Sequence, residues 1–192
     1  MIHRILPATA ERMFTMIFIA LLVVSCSSRT VVESDMGISD APDWVNEGTN
    51  TLKNKNGRLF HGVGSAPSIG EQSLQMSTAD DRARAEVARI LSSYMNVVSK
   101  DYVGAAGFGN DSSAEQTITR NIENITKVNM TGARIIGRWK DEKTKMIYSI
   151  AELDMSHVKK TLNTVESMSP EFRQHFSHNS DKLFDNLLAG EK

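Results

Sequence analysis

The most constraining stretch of this 192-residue chain runs from Ala79 to Val98, where Ala79, Ala83, Val87, Ile90, Leu91, Tyr94 and Val98 recur at spacings of three and four. That period places them on one face of an α-helix that needs a partner layer. The spacing predicts a helix ending near Lys100. Ser68–Glu71 fits a capping box for its start, and Thr78–Asp81 offers a second start. Asp80 and Asp81 read as first-turn acids that offset the helix dipole. The charged residues Arg82, Arg84, Glu86 and Arg89 fall largely off the apolar face, where pairs of opposite charge stabilise a solvated surface.

Around 133 the period changes to two. Ala133, Ile135, Gly137 and Trp139 alternate with Arg134, Ile136, Arg138 and Lys140, and strand composition resumes over Met146–Leu153 after the turn residues Asp141–Thr144. The pair reads as a β-hairpin. Arg58–Gly64 reads as a further strand ending in glycines. A second helix is expected over about 114–128, with Ile118, Ile122 and Ile125 on one side. A helix beginning at Ser156 carries Val158, Leu162 and Val165. The last starts at Ser169-Pro170-Glu171, carries Phe172, Phe176, Leu183, Phe184, Leu187 and Leu188, and closes at Gly190. The expected fold class is α+β: a small antiparallel sheet of about three strands packed by a long helix, with additional C-terminal helices.

The first 25 residues have a different character. Arg4 and Arg12 precede an uncharged apolar run over 13–24, the form of a secretory signal. As a helix that run reaches about 18 Å, too short for roughly 30 Å of hydrocarbon. It ends in Val23-Val24-Ser25-Cys26, which resembles the bacterial lipobox. The resemblance implies cleavage after Ser25 and lipid on the thiol of Cys26, the chain's only cysteine. Each buried methylene contributes about 0.8 kcal/mol, so two or three acyl chains form a durable anchor. A single cysteine also excludes an intrachain disulfide and a cysteine-rich metal site. Ser27 after Cys26 resembles a Gram-negative signal for outer-membrane sorting.

The expected organisation is a signal peptide over 1–25, a lipidated flexible tether over 26–41, an α+β domain over 42–168 and a C-terminal helix over 169–192. Cleavage leaves 167 residues with 20 basic against 22 acidic side chains, since the leader removes Arg4, Arg12 and Glu11. A near-neutral domain without a long basic run argues against nucleic acid as partner.

Several segments in order resemble the LPP-twenty family of bacterial lipoproteins: Pro42-Asp43-Trp44-Val45, Phe60–Ala66, Ala79–Ala88, Ile136-Gly137-Arg138-Trp139 and Met146–Ala151, with a looser likeness at Ser180–Leu187. The family includes a flagellar lipoprotein associated with an outer-membrane disk around the motor. The resemblance implies a long helix across a small antiparallel sheet, self-association into a homo-oligomer, flagellar or envelope proteins as partners, and a lipid-anchored place at the outer membrane.

Motifs of ordinary catalysis are sparse. Gly62-Val63-Gly64 follows a strand, but a dinucleotide fingerprint needs glycine or alanine at position 67, which is Pro67. Glycines at a sharp strand-to-helix turn account for it. His175 and His178 are three apart on the last helix, near basic Arg173 and Lys182 and without a matched acidic or cysteine ligand, so a solvated face is expected and no metal or other cofactor. His61 and His157 read as core-edge or capping residues. No serine sits in Gly-x-Ser-x-Gly. The loop from Gly104 through Gly107, Phe108 and Gly109 sets one aromatic among small residues and is the candidate oligomer contact. The expected function is a non-enzymatic, self-assembling envelope scaffold, flagellum-associated in its most concrete form. The alternative is a peptidoglycan- or small-ligand-binding regulator of a cell-wall enzyme, with Trp139, Tyr148 and Tyr94 lining a pocket between sheet and helix.

Overall fold

The computed structural model describes residues 37–49, 52, 57–106, 122–123, 125–127, 129–166 and 168–190. All of them belong to one compact unit spanning 35–192. Cys26, Ser25 and the tether up to residue 36 lie outside the described residues.

In chain order the elements are α1 (Asp43–Asn46), β1 (Leu59–Ala66), α2 (Gln72–Ala106), a 3-10 turn (Met130–Gly132), β2 (Arg134–Lys140), β3 (Ile147–Asp154), α3 (Met155–Leu162) and α4 (Pro170–Gly190). The strands form one antiparallel sheet in the order β1-β3-β2. The fold is therefore the α+β arrangement that the periodicities predict, a three-stranded sheet packed by a long helix with helices after it. Ahead of β1, the Asn46 side chain closes a small loop, accepting from the Ile38 N–H at 2.8 Å and donating to its carbonyl at 3.0 Å.

β1 does not end at its glycines but runs through them to Ala66. Gly62 and Gly64 face α2 at backbone contact. A Cβ at Gly62 would stand 2.5 Å from the Ala83 carbonyl oxygen and 2.6 Å from the Val87 nitrogen, and Gly64 is as tightly held by Ala79, Arg82 and Ala83. The two glycines serve close approach of helix to sheet, not a turn.

At 35 residues α2 is about 52 Å long, roughly twice the reach of an eight-residue strand. It extends past Lys100 because Gly104 continues the helix to Ala106 instead of opening a loop. Thr78 lies inside it, donating to the Leu74 carbonyl at 2.8 Å. The predicted stripe is the buried face: Ala79, Ala83, Val87, Leu91, Tyr94 and Val98 are all at most 2% exposed, and Ile90, at its edge, is only partly buried against the same core.

The overhanging half of α2 is covered by α4. Tyr94 sits edge-on to both Phe176 and Phe184, and Phe184 in turn meets Phe60 of β1 at 5.1 Å between ring centroids. Phe172, Phe176 and Phe184 thus join the main core with Phe60, Ala151, Leu153, Val158 and Leu162. The apolar face of the last helix is turned onto its own domain. Described residues of the helix expected over 114–128 are helical at 122–123 and 125–127, and Ile122 and Ile125 are in the same core.

The hairpin departs from strict alternation. A bulge between Ile135 and Gly137 adds a residue to β2, so Ile135 pairs with Ala151 while Gly137 already pairs with Ile150. Ile135 stays on the helix-facing side. Beyond the bulge the faces exchange: Arg138 turns toward α2, and Trp139 turns to the other face beside its partner Tyr148.

Candidate functional site

Among the described residues, polar side chains from two or more elements cluster in several places. The deepest is Asp80. The apolar stripe of α2 brings its carboxylate to the sheet, where it is 8% exposed. Arg138 Nε and Nη2 donate to Oδ1 and Oδ2 at 2.8 and 2.5 Å, and the Ser149 hydroxyl donates to Oδ1 at 2.7 Å. The Arg138 hydrogen bonds hold the Asp80 carboxyl below the usual carboxylate range, with Ser149 adding to them against the opposing cost of burial. Asp80 is therefore not a first-turn acid. The helix starts eight residues earlier, and the carboxylate joins α2 to β2 and β3. Asp81, by contrast, makes a surface pair with Arg84 at 3.3 Å.

Nearby, Gln75 is 5% exposed and its amide donates to the Ala66 carbonyl at 3.0 Å and the Lys145 carbonyl at 2.7 Å. It ties the end of β1 and the hairpin turn to the first turns of α2. Lys145 itself has φ 61°, within a turn organised by Asp141, whose side chain accepts from the Lys143 N–H and the Thr144 hydroxyl.

The second cluster crosses the sheet on the face away from α2. His61 of β1 approaches Glu152 of β3 at 3.2 Å, and Arg134 of β2 reaches the other carboxylate oxygen at 3.3 Å. Four residues along β3 from Glu152 on the same face, Tyr148 stands beside Trp139 with centroids 5.6 Å apart. Between these rows lies the pair Val63 and Ile150, and Ile150 is only 3% exposed. Among the described residues neither hydrophobic core takes a strand residue from this face, although Ile150 is itself buried.

The third place is the junction of α2 with α4. His175 Nε2 lies 2.8 Å from Asp101 Oδ2, and the Asn179 amide points to His175 Nδ1 at 3.3 Å. His178 turns elsewhere, donating from Nδ1 to the Gln174 carbonyl at 2.8 Å. The two histidines predicted to share a helix face thus take different partners. His157 packs its ring against Gly132. Among the described residues no three His, Cys, Asp or Glu side chains gather as a metal-binding group.

The aromatics named for a pocket between sheet and helix do not converge. Tyr94 is in the core on the helix side, donating from its hydroxyl to the Ser180 carbonyl at 2.6 Å, and burial holds its phenol above the ordinary range. Trp139 and Tyr148 are on the opposite face, because the bulge turned Trp139 there. Of the candidate oligomer contact, Gly104 is an exposed helical residue, while Gly107, Phe108 and Gly109 lie outside the described residues.

Sequence reasoning passed over Gln75 and the partnership of Asp80 with Arg138 and Ser149. The available signal was that Asp80 falls next to Ala79 and three residues before Ala83, at the border of the apolar stripe. Among the described helices none is long and apolar enough to cross a membrane. No model of a known protein family matches the chain, and no curated protein matches it.

Proposed function

We infer that this chain is a bacterial lipoprotein, held at the outer membrane by lipid on Cys26, that acts by self-association as an envelope scaffold and catalyses no reaction. The observation that carries the reading is the run of residues 13–24 ending at Val23-Val24-Ser25-Cys26, after basic Arg4 and Arg12. The ordered likeness to the LPP-twenty family supports the scaffold role and points to a flagellum-associated assembly needed for motility. The use of the domain's polar groups agrees with it. Asp80, Glu152 and Asp101 are each engaged by a cation, hydroxyl or imidazole from another element, an arrangement that holds layers together. Tethering every copy to one leaflet raises its effective concentration, so weak pairwise contacts suffice to build an array.

The test is swimming motility of a strain lacking the gene, complemented with wild type or Cys26→Ala. Lost motility rescued only by the lipidated form is the expected result. Normal motility in the deletion strain removes the flagellar role, and failure of wild-type Cys26 to incorporate labelled palmitate removes the anchor. Binding of the lipidated protein to purified sacculi would favour a peptidoglycan-binding role instead.

A further inference from the structure

The two edges of the sheet differ. Along β1 the residues Phe60, His61, Gly62, Gly64 and Ala66 are buried within the chain, so that edge is closed. Along β2 the residues Arg134, Ile136 and Arg138 are exposed, Ile136 by 47%. Asp141 directs its N–H inward to the Met146 carbonyl at 2.9 Å, so the backbone groups of Lys140 and Arg138, one and three residues back, point outward. Among the described residues no backbone group of β2 bonds beyond its ladder with β3. Arg138 and Lys140 are two apart past the bulge and share one face of this edge, with side chains 45% and 37% exposed. An open edge of this kind accepts an added strand, and its two cations select for acids at the same spacing.

We propose that residues 30–36 of a neighbouring copy add to the outer edge of β2 as a fourth strand. Thr30-Val31-Val32-Glu33-Ser34-Asp35-Met36 opens on three β-branched residues and sets Glu33 and Asp35 two apart. Added as a strand, it turns both carboxylates to one face, where they meet Arg138 and Lys140 as cross-strand pairs. Ser34 then lies beside Trp139 whichever way the strand runs. The segment leaves the domain at a fixed point, because Asn46 holds both backbone groups of Ile38. Each copy donates one segment and receives one, a head-to-tail contact that extends from copy to copy. The proposal rests on the self-association inferred above and names how it is made. One short strand holds weakly by itself, and anchoring in a shared leaflet supplies the effective concentration.

The test uses the full chain in its own membranes, where the acylated Cys26 of the lipoprotein reading offers no free thiol. Two differently tagged copies are expressed together, one with Ser34→Cys and the other with Ile136→Cys, and treated with a short bismaleimide. A covalent dimer carrying both tags is expected. Val97→Cys, exposed on α2, is expected to give none when it replaces Ile136→Cys. Glu33→Lys with Asp35→Lys in the donating copy is expected to lower the yield about fivefold, by turning two attractive cross-strand pairs repulsive. Lys140→Glu in the receiving copy should then recover part of it, and Lys140 belongs to neither core, so the recovery reads charge and not folding. A crosslink confined to single chains that carry both cysteines would overturn the exchange between copies. Oligomers captured by an amine-reactive reagent without the two-tag dimer would overturn this contact while leaving self-association standing. Monomer under every reagent would overturn both.

Discussion

Asp80 is the side chain on which the two layers depend most directly. Its carboxylate meets Arg138 and Ser149, and Asp80→Asn keeps the shape while removing the charge. Loss of one partner of a buried ion pair costs about 3–5 kcal/mol. Arg138 is 45% exposed in its side chain, so water screens the pair and about 1–3 kcal/mol is expected, read from urea unfolding at neutral pH. The pH dependence follows from the direction of the shift. A carboxyl depressed in the folded state contributes stability above its unfolded pKa of about 3.9, and that contribution is lost as pH falls through the lower folded value. Wild type should therefore lose stability more steeply than Asp80→Asn below about pH 4, the two curves converging in acid.

Glycines make the same point about place. Gly64→Ala thrusts a methyl into the backbone of α2 and is expected to cost at least about 3 kcal/mol, as overpacking that neither backbone can relieve. Gly104→Ala sits in the same helix with nothing within 4 Å, and should raise stability by about 0.5–1 kcal/mol through helix propensity alone. Thermal denaturation of the two variants gives opposite signs if this packing is right.

Among the elements, α4 has the largest consequence. It covers the half of α2 that overhangs the sheet, bringing Phe172, Phe176 and Phe184 to Tyr102, Tyr94 and Phe60. Its outer side is fastened by Arg58 to Asp185 and Lys159 to Asp181, at 2.6 and 2.7 Å. Those exposed pairs contribute little, and the aromatic burial carries the attachment. Phe176→Ala is expected to cost about 3–5 kcal/mol. A chain ending at 168 should bind a hydrophobic dye and lose a cooperative melt, since Tyr94 and Phe60 are then uncovered. Retained cooperativity in that truncation would show that α4 is an accessory to the fold.

For the whole molecule the proposed anchor and the folded domain can be tested separately. If the proposed lipidation holds, Cys26→Ser is expected to move the protein from the membrane fraction to the soluble fraction without changing its melting temperature, because the described buried residues of both hydrophobic cores lie between Phe60 and Phe184. Fractionation and calorimetry of the same preparation check both halves of that statement.

Local pattern by itself determined the long helix, the hairpin and the terminal amphipathic helix. The stripe from Ala79 to Val98, the period of two after Ala133 and the Ser169-Pro170-Glu171 start each follow from the geometry of a single element meeting one apolar layer. The proposed lipidation at Cys26 likewise rests on a local motif, Val23-Val24-Ser25-Cys26. Tertiary structure alone decided the rest. Gly62 and Gly64 read as a turn until α2 lies against them, since a sequence does not show which backbone approaches a glycine. Asp80 reads as a dipole acid until Arg138 arrives from 58 residues away. That arrival depends on the bulge beside Ile136, one added residue that turns Arg138 inward and Trp139 outward. Side-chain alternation is exact only while pairing is regular, so a single bulge reassigns every residue beyond it, and only the paired strand reveals where it lies.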